Sequence, residues 1–104
     1  MKIPKSFKLF GQTIDVVIID DLTQKTGGVG MAHINCNTIA IQPDATGYTR
    51  KEDQLHETFL HELTHMILHH MSEDALKENE KFVDIFASLL HQALTTMEYE
   101  TKKK

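Results

Sequence analysis

The chain is 104 residues long, 40% apolar and 25% charged, with a formal net charge of −4 at pH 7. That length fits one domain with a modest core, and the balance is ordinary for a soluble globular chain. An acidic chain whose dense basic run is the terminal Lys102-Lys103-Lys104 has no basic face for nucleic acid, and no apolar stretch approaches the roughly 18 residues that cross a membrane.

Phe7 to Phe10 and Thr13 to Ile19 flank Gly11-Gln12 and predict a β-hairpin, with glycine supplying the positive φ of a tight turn. Ile14, Val16 and Ile18 line one face of the second strand. Val17 and Ile19 make the other face apolar too, which places this strand inside a sheet. Gln12 and Asp15 interrupt any signal-like segment after Lys2, Lys5 and Lys8, and Cys36, the single cysteine, forbids an internal disulfide. Both features point to a cytoplasmic protein. Asp20 to Gly30 is polar, and its Gly27-Gly28-Val29-Gly30 run lacks the Lys-Ser/Thr of a phosphate loop and reads as a turn.

Val29 to Asn35 and Thr38 to Gln42 predict two further strands, with Asn37 in a left-handed turn between them and Cys36 a small packed residue. Pro43 to Gly47 is a loop. Thr49 and Glu52 form an S/T-x-x-E capping box for a helix from about Arg50 to Met71, whose buried stripe is Leu55, Phe59, Leu63, Met66 and Ile67. Ser72 or Asn79 starts a second helix. Its wide apolar face holds Phe82, Ile85, Phe86, Leu89, Leu90, Ala93 and Leu94, extended by Met97, with the phenylalanines in the core. Strands first and helices after predict one α+β domain over 1–104. A small, mostly antiparallel twisted sheet in about 1–45 packs on two helices in about 49–98, and a frayed tail spans 99–104.

The first helix carries the chemistry. His61-Glu62-Leu63-Thr64-His65 reads H-E-x-x-H, a pattern this composition produces by chance about 0.03 times per chain. Residues four apart on a helix stand about 40° round and roughly 6 Å along, so two imidazoles there converge on one metal ion. Zinc takes histidine nitrogens at about 2.0–2.1 Å in a tetrahedral shell. Glu62 projects beside the pair, where a carboxylate reaches water without binding the metal and acts as general base.

A third ligand must come from elsewhere. The longer H-E-x-x-H-x-x-G-x-x-H pattern fails, because Leu68 and Met71 stand where Gly and His belong. His69 lies roughly 12 Å along the helix from His61, too far for one ion. His69 and His70 read as helix-end residues favoured by the dipole, and His33 and His91 as structural or solvated. Glu80 and Asp84, four apart on the second helix, serve better. Glu80 completes a His-His-Glu shell with a fourth position left for water. Asp84, one turn later, accepts the free ring N–H of a ligating histidine and fixes its tautomer. Glu78 is the competitor, about 160° round from Glu80.

His61 to His65, followed by Glu80, Phe86, Ala87 and Leu89-Leu90, is similar to the paired motifs of the ImmA/IrrE family of zinc metallopeptidases, whose second motif runs roughly E-x-x-A-N-x-F-A-x-x-L-L. Val83 and Asp84 stand where that motif has Ala and Asn, and Leu89-Leu90 come one residue early. Asn37 to Ile41 is similar to the strand before the family's active-site helix. The resemblance implies a gluzincin-like metalloendopeptidase with one zinc ion held by His61, His65 and Glu80. Its substrate class would be a protein, such as a helix-turn-helix regulator of a phage or mobile element.

In that reading Glu62 takes a proton from water and delivers it to the leaving amine. Tyr48, just before the first helix, and Tyr99, past the second, are candidate oxyanion donors, with His69 and His91 behind them. The strand before the active helix is a candidate edge for pairing with an extended peptide. Two rivals stand beside the peptidase. One is a non-catalytic zinc-bound interaction module; an open coordination position and Glu62 argue against it. The other is a latent enzyme, with Glu98-Tyr99-Glu100-Thr101 folded over the cleft.

Overall fold

The computed structural model describes residues 3–19, 30–45 and 48–100. Ser6–Leu9 (β1) and Gln12–Ile18 (β2) pair antiparallel from Ser6↔Asp15 to Leu9↔Gln12, which leaves Phe10 and Gly11 as the turn. Both have positive φ, 49° and 75°, the handedness that matches the twist of the flanking strands. The turn therefore falls one residue before the expected Gly11-Gln12. Gln12 is held in the ladder, and Phe10 takes a conformation uncommon for its type with its ring 81% exposed.

Gly30–His33 (β3) leads through a 3-10 turn, Ile34–Cys36, to Thr38–Ile41 (β4). Asn37 between them is left-handed, φ 51°, as its side chain permits. β4 pairs parallel with β2 and antiparallel with β3, giving the order β1-β2-β4-β3. Two of these three pairings are antiparallel, and the small, mostly antiparallel sheet of an α+β fold is what forms. β2 is interior as expected, but its two ends differ: Ile14 is fully buried while Val17 and Ile18 are 37% and 56% exposed.

β4 is not the exposed edge, because its pairing with both β2 and β3 buries Ile39, Ala40 and Ile41; among the described residues the edges are β1 and β3. Cys36 is not packed, because the 3-10 turn carries it to the surface. Asp44–Ala45 (β5) and Tyr48–Thr49 (β6) form a short antiparallel ribbon where a loop was expected. The glycine-bearing segment 20–29, residues 46–47 and the terminal 101–104 lie outside the described residues.

Glu52–His70 forms α1. Thr49 pairs in β6, so the Thr49/Glu52 box does not form; instead the Gln54 side-chain oxygen accepts from the Lys51 N–H at 2.9 Å. Glu52 and Asp53 in the first turn, and His69 and His70 in the last, suit the helix dipole. Ser72, φ 60°, ends the helix in the left-handed conformation, with the N–H groups of Ser72 and Glu73 returning to the carbonyls of His69 and Leu68. A single turn, Asp74–Lys77 (α2), precedes Glu80–Thr96 (α3), whose start is fixed by Asn79 accepting from the Phe82 N–H at 3.1 Å.

The core lies between sheet and helices. Ile14, Ile39 and Ile41 meet Phe59, Leu60 and Met66 of α1 and Ala87 of α3. Phe7 of β1 meets Phe59 edge-to-face at 5.8 Å. Each fully buried Ile or Met contributes about 1.5–3 kcal/mol. Of the stripe expected on α1, Phe59 and Met66 are buried and Leu55 and Leu63 pack partly against the core, while His56, Leu60, Glu62, Thr64 and Leu68 are buried beyond it. α3 runs antiparallel along α1, since His61, Glu57 and His56 meet Asp84, Ser88 and His91 in turn. Its covered arc is Val83 and Ala87, with Leu90 and Leu94 partly buried. Of the expected apolar face, Ile85, Phe86, Leu89 and Met97 are 51%, 45%, 63% and 49% exposed, so Phe86 is not in the core as expected, because a helix lying on the flank of α1 has one side covered. Among the described residues no helix is long and apolar enough to cross a membrane.

Candidate metal centre

His61 and His65 stand one turn apart on α1 with ring centroids 5.0 Å apart. Asn79 fixes where α3 begins, and the antiparallel packing sets its first residue, Glu80, over both rings. Glu80 Oε2 lies 3.1 Å from His61 Nε2, and Oε1 lies 3.0 Å from His65 Nε2. One donor atom from each of the three falls within 4.8 Å of the others, a group able to hold a metal ion. Tetrahedral ligands at 2.0–2.1 Å from an ion stand about 3.3 Å from one another. The donor set fits with little movement.

The electrostatics agree. Asp84 Oδ1 is 3.1 Å from His61 Nδ1. A carboxylate at that nitrogen takes its N–H, which leaves Nε2 as a bare acceptor aimed at Glu80. Two acceptors at such a distance repel unless a proton or a cation sits between them. The histidine side chains are 20% and 16% exposed, Glu80 and Asp84 68% and 77%. The rings form a floor and the carboxylates a wall facing solvent.

Glu62 lies under the same surface, 9% exposed. Burial pushes its carboxyl above the usual range. His61 and His65 pull it back, Glu80 pushes it up further, and the Ala32 N–H, donating to the carboxylate, lowers it. β3 comes very close to α1 at this point. A Cβ on Gly30 would stand 2.5 Å from Thr58 Cγ2 and 3.1 Å from Glu62 Oε2.

These groups border an open cleft of about 900 Å³, walled by Gly30, Met31 and Ala32 of β3 on one side and by α1 and α3 on the other. Among the described residues, Arg50 and Lys77 line it. Arg50 donates to the carbonyls of Gln42 and Gln54 and to Thr58 Oγ1. Lys77 Nζ is 3.6 Å from Asp74 and 3.5 Å from His69 Nδ1. Glu78 also lines the cleft but is not in the metal-binding group.

Tyr99 is not brought to the site. It is 81% exposed past the far end of α3, about 25 Å of helix from Glu80, with its hydroxyl on Met97 Sδ at 3.6 Å. Residues 97–100 do not line the cleft, so the described part of the tail does not cover it. The backbone of Tyr48 pairs with Ala45 in the β5–β6 ribbon, and its side chain lies outside what is described. His91 belongs to a different place: its Nδ1 is 2.7 Å from Nδ1 of His56, between α1 and α3. Burial, with His91 beside it, lowers the pKa of His56 below its ordinary 6.5.

Sequence reasoning missed this histidine pair, the Ala32 N–H on Glu62, and the contact at Gly30. The histidines gave a faint signal, as His56 falls on the Phe59 side of the helix. Gly30 sits in a glycine-rich run and carries none of its own. Comparisons with protein-family models, with curated proteins and with solved structures find no match to this chain.

Proposed function

We propose that the protein is a zinc-dependent metalloendopeptidase. One observation carries this: His61, His65 and Glu80 converge at 3.0–3.1 Å beside a buried glutamate that belongs to none of those contacts. His61, His65 and Glu80 would hold the ion, and Asp84 would orient His61. When bound, zinc supplies Lewis acidity, polarising a peptide carbonyl and lowering the pKa of water towards about 7. Glu62 takes a proton from the attacking water on its carboxylate and returns it to the leaving amide nitrogen. Burial raises its pKa from the ordinary carboxylate value, and the Ala32 N–H donates to the carboxylate and holds it in place.

β3 has β4 on one side and the cleft on the other, so an extended peptide can add to this edge and pass over Glu62. The motif resemblance to the ImmA/IrrE group makes a helix-turn-helix regulator of a phage or mobile element the first substrate to try, and the cytoplasm the compartment. The test is zinc content and peptide cleavage measured together. Wild type carries one zinc per chain and cleaves. Glu62→Gln keeps zinc and loses on the order of 10²–10⁴ in turnover. His65→Ala loses both. Glu62→Gln cutting at the wild-type rate refutes the mechanism, and a zinc-loaded wild type that cuts nothing leaves an interaction module of the same fold.

A further inference from the structure

The apolar arc of α3 is wider than the core it serves. Val83, Ala87, Leu90 and Leu94 face inward, while Ile85, Phe86 and Leu89 stand 51%, 45% and 63% exposed. Phe82, half-buried, stacks its ring on Phe86 at 5.9 Å, and Ala93 is exposed. Phe82, Phe86, Leu89 and Ala93 follow one another at intervals of four, three and four, the spacing of a coiled-coil seam. No charged residue interrupts it.

We propose that this face pairs with the same face of a second copy, the two α3 helices running antiparallel about a two-fold axis. Antiparallel alignment matches large residues to small. It sets Phe82 against Ala93 of the other copy, and Phe86 against Leu89, at two symmetric pairs of layers. Parallel alignment would instead oppose Phe82 to Phe82 and leave Ala93 facing Ala93 across a gap.

The area suits a reversible dimer. At roughly 200 Å² for a large apolar side chain, the exposed parts of Ile85, Phe86 and Leu89 come to about 300 Å², and Phe82 and Ala93 bring the face to about 400 Å² per copy. That is within the range of the largest apolar patches on monomers, which are often functional. Two copies cover about 800 Å². With Lys81 and Gln92 alongside, the joint approaches the ~1,000 Å² of a weak specific interface. Asp84 lies about 140° round the helix from Leu89, so the cleft stays open in the dimer.

The experiment is sedimentation velocity on the whole chain from about 10 µM to about 1 mM, a range chosen for a weak interface. The mass should rise with concentration from 11.9 kDa towards twice that value. Leu89→Glu, which lies outside the core, should raise the dissociation constant at least tenfold with an unchanged circular-dichroism spectrum. In a Cys36→Ser background, Phe86→Cys chains mixed with Leu89→Cys chains should cross-link to each other faster than either does to itself. A monomer at every concentration, which would leave the face to another partner, overturns the proposal. So does a dimer indifferent to Leu89→Glu, or one in which Leu89→Cys cross-links chiefly to itself.

Discussion

Gly30→Ala tests the contact that holds the edge strand against the helix bearing Glu62. The added Cβ would stand 2.5 Å from Thr58 Cγ2, 3.1 Å from Glu62 Oε2 and 3.2 Å from Glu62 Cγ. The first contact is far inside van der Waals distance, and Thr58 cannot step aside cheaply. It is β-branched on a helix, and its hydroxyl is engaged by Arg50. Overpacking of this kind costs typically 1–3 kcal/mol. The lower entropy of an unfolded chain with Ala in place of Gly offsets about 0.4–1 kcal/mol of that. A net loss of about 1–2 kcal/mol remains, worth roughly 4–16 °C in a domain of this size. Thermal unfolding followed by circular dichroism reads it. Thr58→Ser removes the methyl and keeps the hydroxyl, so Gly30→Ala with Thr58→Ser should recover most of the loss. Gly30→Ala at wild-type stability, or no recovery in the double variant, would show that β3 does not press on α1 as described.

Zinc at about a hundredfold over its dissociation constant should stabilise the fold by about 2.7 kcal/mol. Asp84→Asn weakens binding about 10–100-fold, cutting that gain to about 0.4–1.4 kcal/mol in the same assay; an unchanged gain removes Asp84 from its role on His61. His56 has a folded pKa below its ordinary 6.5, so the stability it gives is present above pH 6.5 and lost as pH falls through the folded value. The melting temperature should therefore drop on acidification below pH 6.5, and less steeply in His56→Gln; equal slopes would refute the assignment. Asn79→Ala should cost about 1 kcal/mol by unmaking the cap on Phe82, and zinc affinity should fall with it, because the cap sets where Glu80 stands.

What the sequence made legible is what helical periodicity converts directly into geometry. The spacing of His61 and His65 places two nitrogens together whatever surrounds them, and Glu80 and Asp84 declare themselves as two carboxylates on one face. The order of strands and helices was enough for the α+β class. The failures have a common physical origin: the pattern states which residues are apolar, not how much surface exists to cover them. Phe86 looked like core for that reason, yet the flank of α1 reaches one side of α3. Thr49 and Glu52 satisfied a capping pattern that β6 pre-empts by holding Thr49. Phe10 carries no turn signal, yet takes a positive φ because the strand register leaves two residues to turn the chain. Gly30 is silent because its requirement is the space beside Thr58, not a conformation of its own.

α3 buries Val83 and Ala87 completely and packs Leu90 and Leu94 partly against the core, and its polar contacts to α1 are Glu80 and Asp84 over the histidines, Ser88 on Glu57, and His91 against His56. A cation among the first of these would act as a latch, so chelation should quicken amide exchange along this helix before the sheet beneath it feels any change. Metal starvation would then announce itself as a loosened flap and a fresh site for proteolysis, well short of general unfolding.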